Sequence, residues 1–124
     1  MEWVGQRAQA ELFTTALNIA EIRYGITIQS DASKREALRH WLDGLVRPLF
    51  AGRILGVKEA SLLQWRVFAY RADRNKQPAP AADLLMAAIA AVEGLPVATR
   101  DVGPFAFCGV PVFNPWTGER FNGA

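Results

Sequence analysis

Residues 82–101, ADLLMAAIAAVEGLPVATRD, decide the fold that we predict for this chain of 124 residues. The alanine-rich segment is apolar nearly all round and predicts a helix over residues 80–93, packed closely on a sheet, with Gly94 as its end. The run LPVAT, residues 95–99, then predicts a short buried strand. A helix that leads directly into a buried strand is typical of α/β folds with parallel sheets.

The same alternation of helices and short apolar strands continues outward through the rest of the chain. Helices are predicted at residues 18–29, 33–50 and 59–75, and strands at residues 11–16 (ELFTTA), 53–57 (RILGV) and 110–114 (VPVFN). Asp31 or Ser33 can cap the second of these helices. We therefore predict an α/β layer fold with a mostly parallel sheet, in a single domain over residues 1–124.

Composition restricts the chemistry that the chain can use. It is 51% hydrophobic, which is enough for a real core, and its net charge of +2 is too small to indicate a polyanionic partner. The one cysteine, Cys108, predicts a buried, reduced thiol in a cytoplasmic protein. The one histidine, His40, lies in a helical pattern, so a zinc site or a histidine-based nucleophilic mechanism is not expected.

Neither a membrane span nor a signal peptide is predicted. The longest apolar run, residues 84–92, is bounded by Asp83 and Glu93 and has about half of the roughly 20 residues that a spanning helix needs. The first eleven residues lack a basic segment followed by an apolar one, which a signal peptide would require.

Three carboxylates are predicted to meet at one edge of the sheet. Glu21 lies in the helix that follows the strand at 11–16, and Asp101 follows the strand at 95–99. Asp83 opens the helix that leads into that second strand. In parallel sheets these positions all belong to the carboxyl edge, where binding sites form. Clustered carboxylates need a positive charge between them, and their oxygens suit Mg²⁺ or Mn²⁺.

A purely structural explanation competes with this metal site. Asn18 followed by Glu21 fits a capping box with Asn18 as the cap, and acids in a first helical turn are favoured by the helix dipole. Each acid taken alone is better explained as a cap, whereas the three together favour a metal. Arg74 and Lys76 precede the acidic edge and either flank an incoming phosphate chain or are simply solvated.

Four stretches carry a resemblance to a known family. They are LFTTALNIAEIRYGI (12–26), FAGRILGV (50–57), ADLLMAAIAAVEGLPVATRDV (82–102) and GVPVFNPW (109–116). In this order and spacing they resemble the PIN-domain ribonucleases, within the VapC/FitB-like toxins of bacterial toxin–antitoxin pairs. The resemblance implies a three-layer α/β/α fold and a metal-dependent endoribonuclease toxin.

The resemblance also implies roles for individual residues and partners. Glu21, Asp83 and Asp101 match the acids that bind Mg²⁺ or Mn²⁺ in the family, where the ion activates water to hydrolyse an RNA phosphodiester. Family members typically form homodimers and are inhibited by a small antitoxin. The residues predicted to contact the substrate are Asn18, Thr99, Arg100, Arg74 and Lys76.

The sequence departs from the family pattern in two places. The stretch RDVGPF lacks a second acid after Asp101, so Asp101 is expected to act alone there. The second departure is at the start of the chain, which lacks the family's first strand and most of its first helix. That strand ends in the I-L-D-T-N motif, whose Asp binds metal in the family. The chain is therefore expected to be N-terminally truncated relative to the family.

One alternative function follows from this departure: a catalytically impaired remnant that only binds an antitoxin or itself. A third interpretation, a small-molecule-binding α/β domain, lacks the expected G-x-G-x-x-G or P-loop pattern.

Overall fold

The computed structural model of the chain describes residues 12–77, 79–99, 103–105, 108–113 and 120–121. The chain divides into two compact units, Met1–Gly56 and Val57–Ala124, here called unit 1 and unit 2. Short strands alternate with longer helices in both units. The predicted α/β class is confirmed, and two of the three strand pairings among the described residues are parallel.

The described part of unit 1 contains two short parallel strands and a run of helices. Its elements are β1 (Thr14–Thr15), α1 (Ala16–Thr27), α2 (Ala32–Trp41), a π-helical turn (Leu42–Val46), α3 (Arg47–Leu49) and β2 (Ile54–Leu55). The strands pair with Thr14 opposite Ile54 and Thr15 opposite Leu55. Ile19, Ile26 and Leu42 form the buried core. The strands predicted at 11–16 and 53–57 are therefore present, but each is only two residues long.

Helix α1 begins earlier than the sequence predicted, and this changes the position of Glu21. Thr15 is the N-cap: its backbone is extended, and its Oγ1 accepts a hydrogen bond from the Asn18 backbone N–H at 3.0 Å. The predicted capping box, with Asn18 as the cap, is therefore wrong. Thr15 is the residue that caps the helix, and Asn18 is the third residue inside it. Glu21 consequently lies in the second turn, and the first turn contains no acid.

Removing the Thr15 cap should weaken unit 1 without disturbing its core. Thr15→Ala leaves the Asn18 backbone N–H without its acceptor, so we expect the free energy of unfolding to fall by about 1 kcal/mol. Denaturant unfolding followed by circular dichroism measures this loss. Ser30→Ala, at an exposed position outside the helices, is the control. Equal stability of the two variants would contradict the capping role.

The predicted helix at 33–50 is continuous but not regular. Asp31 caps it, because its Oδ1 accepts the backbone N–H groups of Ser33 at 2.9 Å and Lys34 at 3.1 Å. A π-helical turn over Leu42–Val46 then separates α2 from α3. A π turn inserts an extra residue and rotates the side chains that follow. Trp41, the last residue of α2 before this turn, is 44% exposed.

The described part of unit 2 contains two long helices and a three-stranded sheet. Its elements are α4 (Glu59–Arg74), α5 (Ala81–Glu93), β3 (Val97–Ala98), a 3₁₀ turn (Gly103–Phe105), β4 (Val112–Phe113) and β5 (Arg120–Phe121). β4 is central, parallel to β3 and antiparallel to β5. The strands predicted at 95–99 and 110–114 are thus present as β3 and β4, whereas β5 was not predicted. Gly94 ends α5 with a left-handed φ of 69°, as expected of a glycine cap.

The core of unit 2 joins α4, α5 and the sheet. Ala87 and Ala88 of α5 are completely buried in one cluster with Phe68 and Ala72 of α4, which confirms the predicted close packing of the alanine-rich helix. Cys108 lies in the same cluster. Its burial raises the pKa of the thiol to about 11, so the thiol stays protonated at neutral pH. No helix in the described part of the chain is long and apolar enough to cross a membrane.

Candidate metal centre

Glu21 presents an exposed carboxylate on the second turn of α1. Within the described part of the chain this carboxylate has no hydrogen bond and no ion pair. Thr15 caps the helix, so Glu21 does not have the capping role that was the alternative to metal binding. No described residue therefore engages its oxygens.

Asp83 is the third residue of α5 and lies in its first turn, as the sequence predicted. The N-cap is Pro80, which has no capping side chain, and the Asp83 side chain forms no hydrogen bond or ion pair among the described residues. Asp83 is partly buried. A carboxylate in a first helical turn interacts favourably with the positive end of the helix dipole. Asp83 is therefore a partly buried carboxylate that forms no ion pair with the described residues.

The third predicted ligand, Asp101, and its neighbour Arg100 lie outside the described residues. Thr99, which precedes them, is partly buried and directly follows β3. The described residues include no group of three metal-ligating side chains. The convergence of Glu21, Asp83 and Asp101 therefore stays a prediction.

Three further residues were predicted to contact the substrate. Asn18 donates its Nδ2 to Thr14 Oγ1 at 3.4 Å, which orients the amide at the end of β1. The Arg74 guanidinium lies over the Tyr70 ring, 6.0 Å from its centre. Lys76 is exposed and has a left-handed backbone, with a φ of 53°, just after α4 ends.

An open cleft of about 490 Å³ lies within unit 2 beside Lys76. Its lining is mostly apolar and consists of Trp65, Ala69, Ala72, Asp73, Lys76, Gln77, Ala79, Ala81 and Leu84. The buried indole Nε1 of Trp65 has no acceptor among the described residues, which carries a desolvation cost. Asp83 does not line the cleft, so the cleft and the predicted ligand are separate features.

Two residues that hold the start of α1 in place were not predicted. One is Thr15, described above as its cap. The other is Arg53, whose Nη1 donates to the Leu12 carbonyl at 2.7 Å and whose Nη2 donates to the Leu49 carbonyl. Its own carbonyl accepts the Thr14 backbone N–H at 3.0 Å. The sequence feature that could have indicated this role of Arg53 is an arginine directly before a short apolar strand, in the run AGRIL.

Comparison with known proteins identifies the family. The PIN domain profile matches residues 2–107. This chain belongs to the PIN domain family. The predicted resemblance is thereby confirmed, and the α/β architecture of the described residues agrees with it.

Three relatives of this PIN domain cover most of its length. It is 36% identical over 115 residues to "Toxin FitB" of Neisseria gonorrhoeae, covering 92% of this chain and 82% of FitB. It is 31% identical to "Plasmid stability protein StbB" of Pseudomonas syringae pv. tomato, covering 94% and 84%. It is 29% identical to "VapC ribonuclease Y4jK" of Sinorhizobium fredii, covering 94% and 83%.

Two solved structures are similar to this PIN domain. The crystal structure of FitAcB from Neisseria gonorrhoeae superposes with a TM-score of 0.87 at 34% identity, covering 93% of this chain and 83% of that one. VapBC-5 from Mycobacterium tuberculosis, described as a member of the VapBC family of toxin–antitoxin systems, gives a TM-score of 0.61 at 25% identity, covering 73% and 69%.

Proposed function

We propose that this PIN domain is the toxin of a bacterial toxin–antitoxin pair and acts as a metal-dependent endoribonuclease on RNA. The observation that carries the proposal is the match to the PIN domain over residues 2–107, together with similarity to a relative named as a ribonuclease. Similarity to a relative named as a toxin supports the biological role. We place the activity in the cytoplasm, where RNA is available.

Glu21, Asp83 and Asp101 are the proposed ligands of Mg²⁺ or Mn²⁺. The donor set fits such an ion, because carboxylate oxygens are what these hard cations prefer. The carboxylates of Glu21 and Asp83 support the assignment, since neither has a hydrogen bond or ion pair in the described part of the chain and neither caps a helix. When bound, the ion would activate a water for attack and stabilise the charge that develops on the phosphate.

The remaining proposed site residues position the RNA. Arg74 and Lys76 supply positive charge for phosphate oxygens, and Lys76 is exposed enough to reach them. Asn18 is held by Thr14 at 3.4 Å, so its amide is oriented before the substrate arrives. Thr99 and Arg100 complete the proposed set beside Asp101.

We further propose that the chain binds a cognate antitoxin and pairs with a second copy of itself. The antitoxin is supported by the similar VapBC-5 structure, which belongs to a toxin–antitoxin system. Inhibition by such a partner would limit RNA cleavage to conditions in which the antitoxin is lost.

A thermal-shift experiment with metal tests the proposed ligand set. An ion that binds only the folded chain stabilises it by mass action, by about 2.7 kcal/mol at 100 times the dissociation constant. We expect millimolar Mn²⁺ to raise the Tm of the unaltered chain, and Asp83→Asn to reduce that rise because it removes one anionic donor.

The matched control is Asp73→Asn, on an exposed position of α4 outside the proposed ligand set. This variant should keep the full Mn²⁺ response. An undiminished response in Asp83→Asn would contradict the proposed role of Asp83, and so would the absence of any response in the unaltered chain at saturating millimolar metal.

A further inference from the structure

The open cleft beside Lys76 in unit 2 is mostly apolar and carries one unsatisfied donor. Its described lining includes four alanines, Leu84 and Trp65. The buried indole Nε1 of Trp65 has no acceptor among the described residues. A buried N–H that lacks an acceptor costs free energy, so a ligand that supplies an acceptor gains by binding there. The cleft therefore suits a largely apolar group that carries a hydrogen-bond acceptor.

Lys76 lines this cleft in a backbone conformation that favours glycine. Its φ is 53°. Its N–H donates to the Asp73 carbonyl at 3.0 Å, and the Gln77 N–H donates to the Ala72 carbonyl at 3.0 Å. These bonds end α4 in a Schellman motif, whose left-handed residue is usually glycine, and α5 indeed ends at Gly94 with a φ of 69°. A lysine here strains the backbone, which is typical of positions kept for a ligand.

Asp73 is a second locally unfavourable residue in the lining. It lies in the last turn of α4, where a carboxylate meets the negative end of the helix dipole. It is exposed, and its side chain forms no hydrogen bond or ion pair with the described residues. The same is true of Lys76. Residues that break local rules side by side indicate a function at that place.

We propose that this cleft binds an unpaired guanine of the RNA substrate and so makes cleavage selective. The inference rests on the endoribonuclease activity proposed above and names the feature of RNA that the protein would read. Proteins read unpaired RNA bases by stacking them on aromatic rings and by bonding their edges. The Trp65 ring and the alanines supply the apolar surface, and Trp65 Nε1 supplies a donor for guanine O6 or N7. Lys76 supplies positive charge for the neighbouring phosphate.

The Asp73 carboxylate selects guanine among the four bases. A carboxylate accepts hydrogen bonds and donates none. Guanine presents two adjacent donors on its Watson–Crick edge, N1–H and the N2 amino group. Adenine, cytosine and uracil each place an acceptor beside their donor on that edge, and this acceptor would repel the carboxylate. The same requirement explains why a cleft for a polyanion contains an acid.

The cleft is adjacent in the chain to the proposed metal ligand Asp83. Ala81 and Leu84, which line the cleft, flank Asp83 at the start of α5. The three residues lie within about one turn of the helix. A guanine bound in the cleft would therefore hold an adjacent phosphodiester near Asp83, where cleavage is proposed.

Titration of nucleotides into the intact chain, with a chelator present, tests this proposal without metal or cleavage. The probes are the 5′-monophosphates of guanosine, adenosine and inosine, and inosine is guanosine without the N2 amino group. The readout is the NMR signal of the Trp65 indole N–H, assigned with Trp65→Phe. We expect the guanosine nucleotide to shift this signal and to bind at least about tenfold more tightly than the other two.

Two substitutions separate the roles of the charged residues. Asp73→Asn should remove most of the preference for guanosine, and Glu59→Gln, exposed on the same helix and outside the cleft lining, is its control. Lys76→Gly should weaken the binding of all three nucleotides while leaving Tm equal or higher, because glycine relieves the left-handed strain. A purely structural lysine would show the reverse. Circular dichroism verifies that each variant folds.

Equal affinity for the three nucleotides would overturn the proposal, as would an unmoved Trp65 signal at millimolar nucleotide or an undiminished preference in Asp73→Asn. An equal shift with inorganic phosphate would do so too, because it would assign the cleft to a phosphate group instead of a base. Lost binding with a lower Tm in Lys76→Gly would also count against it. Guanosine preference in a chain that does not cleave RNA would support the cleft and contradict only the endoribonuclease. Cleavage without that preference would contradict only the guanine cleft.

Discussion

Replacing Phe68 with alanine is expected to lower the free energy of unfolding by about 3–5 kcal/mol. Phe68 is only 2% exposed and lies in the cluster that joins α4 to α5 and the sheet of unit 2. Truncation loses the transfer free energy of the ring and leaves a cavity, because completely buried neighbours such as Ala87 and Ala88 carry no longer side chain to fill it. The Arg71 guanidinium, 5.8 Å from the ring centre, would lose its aromatic contact as well.

Such a loss is a large part of the stability of a small protein, which is typically about 5–15 kcal/mol. Urea denaturation measures it. Phe13→Ala is the matched control, because Phe13 is 43% exposed and its truncation should cost about 1 kcal/mol or less. Similar losses in both variants would contradict the assignment of the unit 2 core.

The helices of this PIN domain could be predicted from the sequence because their signals are local. The apolar spacing in α4 and α5, the Asp31 cap and the Gly94 end all operate within a few residues. The start of α1 was predicted two residues late because Thr15 was assigned to a strand. It is both the last strand residue and the helix cap, and propensity rules assign it to only one of these.

The strand lengths and the outward face of α4 could not be predicted in the same way. Strand pairing depends on contacts distant in sequence, such as Thr14 opposite Ile54, so apolar runs of five or six residues contribute only two residues to the ladder. The sequence shows that α4 is apolar on several sides, but only the packing of Phe68 inward shows that Leu63 is exposed.

The predicted site depends both on local sequence patterns and on the positions that the folded structure gives to individual residues. The first-turn position of Asp83 follows from the local pattern of α5, and the structure confirms it. The second-turn position of Glu21 corrects the prediction, since Thr15 moves the start of α1. The capping explanation for Glu21 is lost with that correction, whereas its proposed role as a metal ligand does not depend on the turn in which it lies.

The most direct test of the proposed function is the effect of Glu21→Gln on RNA cleavage. The amide keeps the volume of the side chain but removes the negative charge proposed to face the cation. Glu21 is exposed and has no hydrogen bond in the described part of the chain, so stability should be nearly unchanged. The rate of cleavage should fall by about 10²–10³-fold, which is the typical loss when one group that stabilises the charge of a transition state is removed.

The measurement is the initial rate of cleavage of structured RNA with Mg²⁺ or Mn²⁺, and with a chelator as the blank. Glu36→Gln, an exposed glutamate of α2 in the same unit, is the matched control and should cleave at the unaltered rate. We predict metal-dependent cleavage by the unaltered chain and by Glu36→Gln, and almost none by Glu21→Gln. Cleavage by Glu21→Gln at the unaltered rate, or no metal-dependent cleavage by the unaltered chain, would contradict the proposed function.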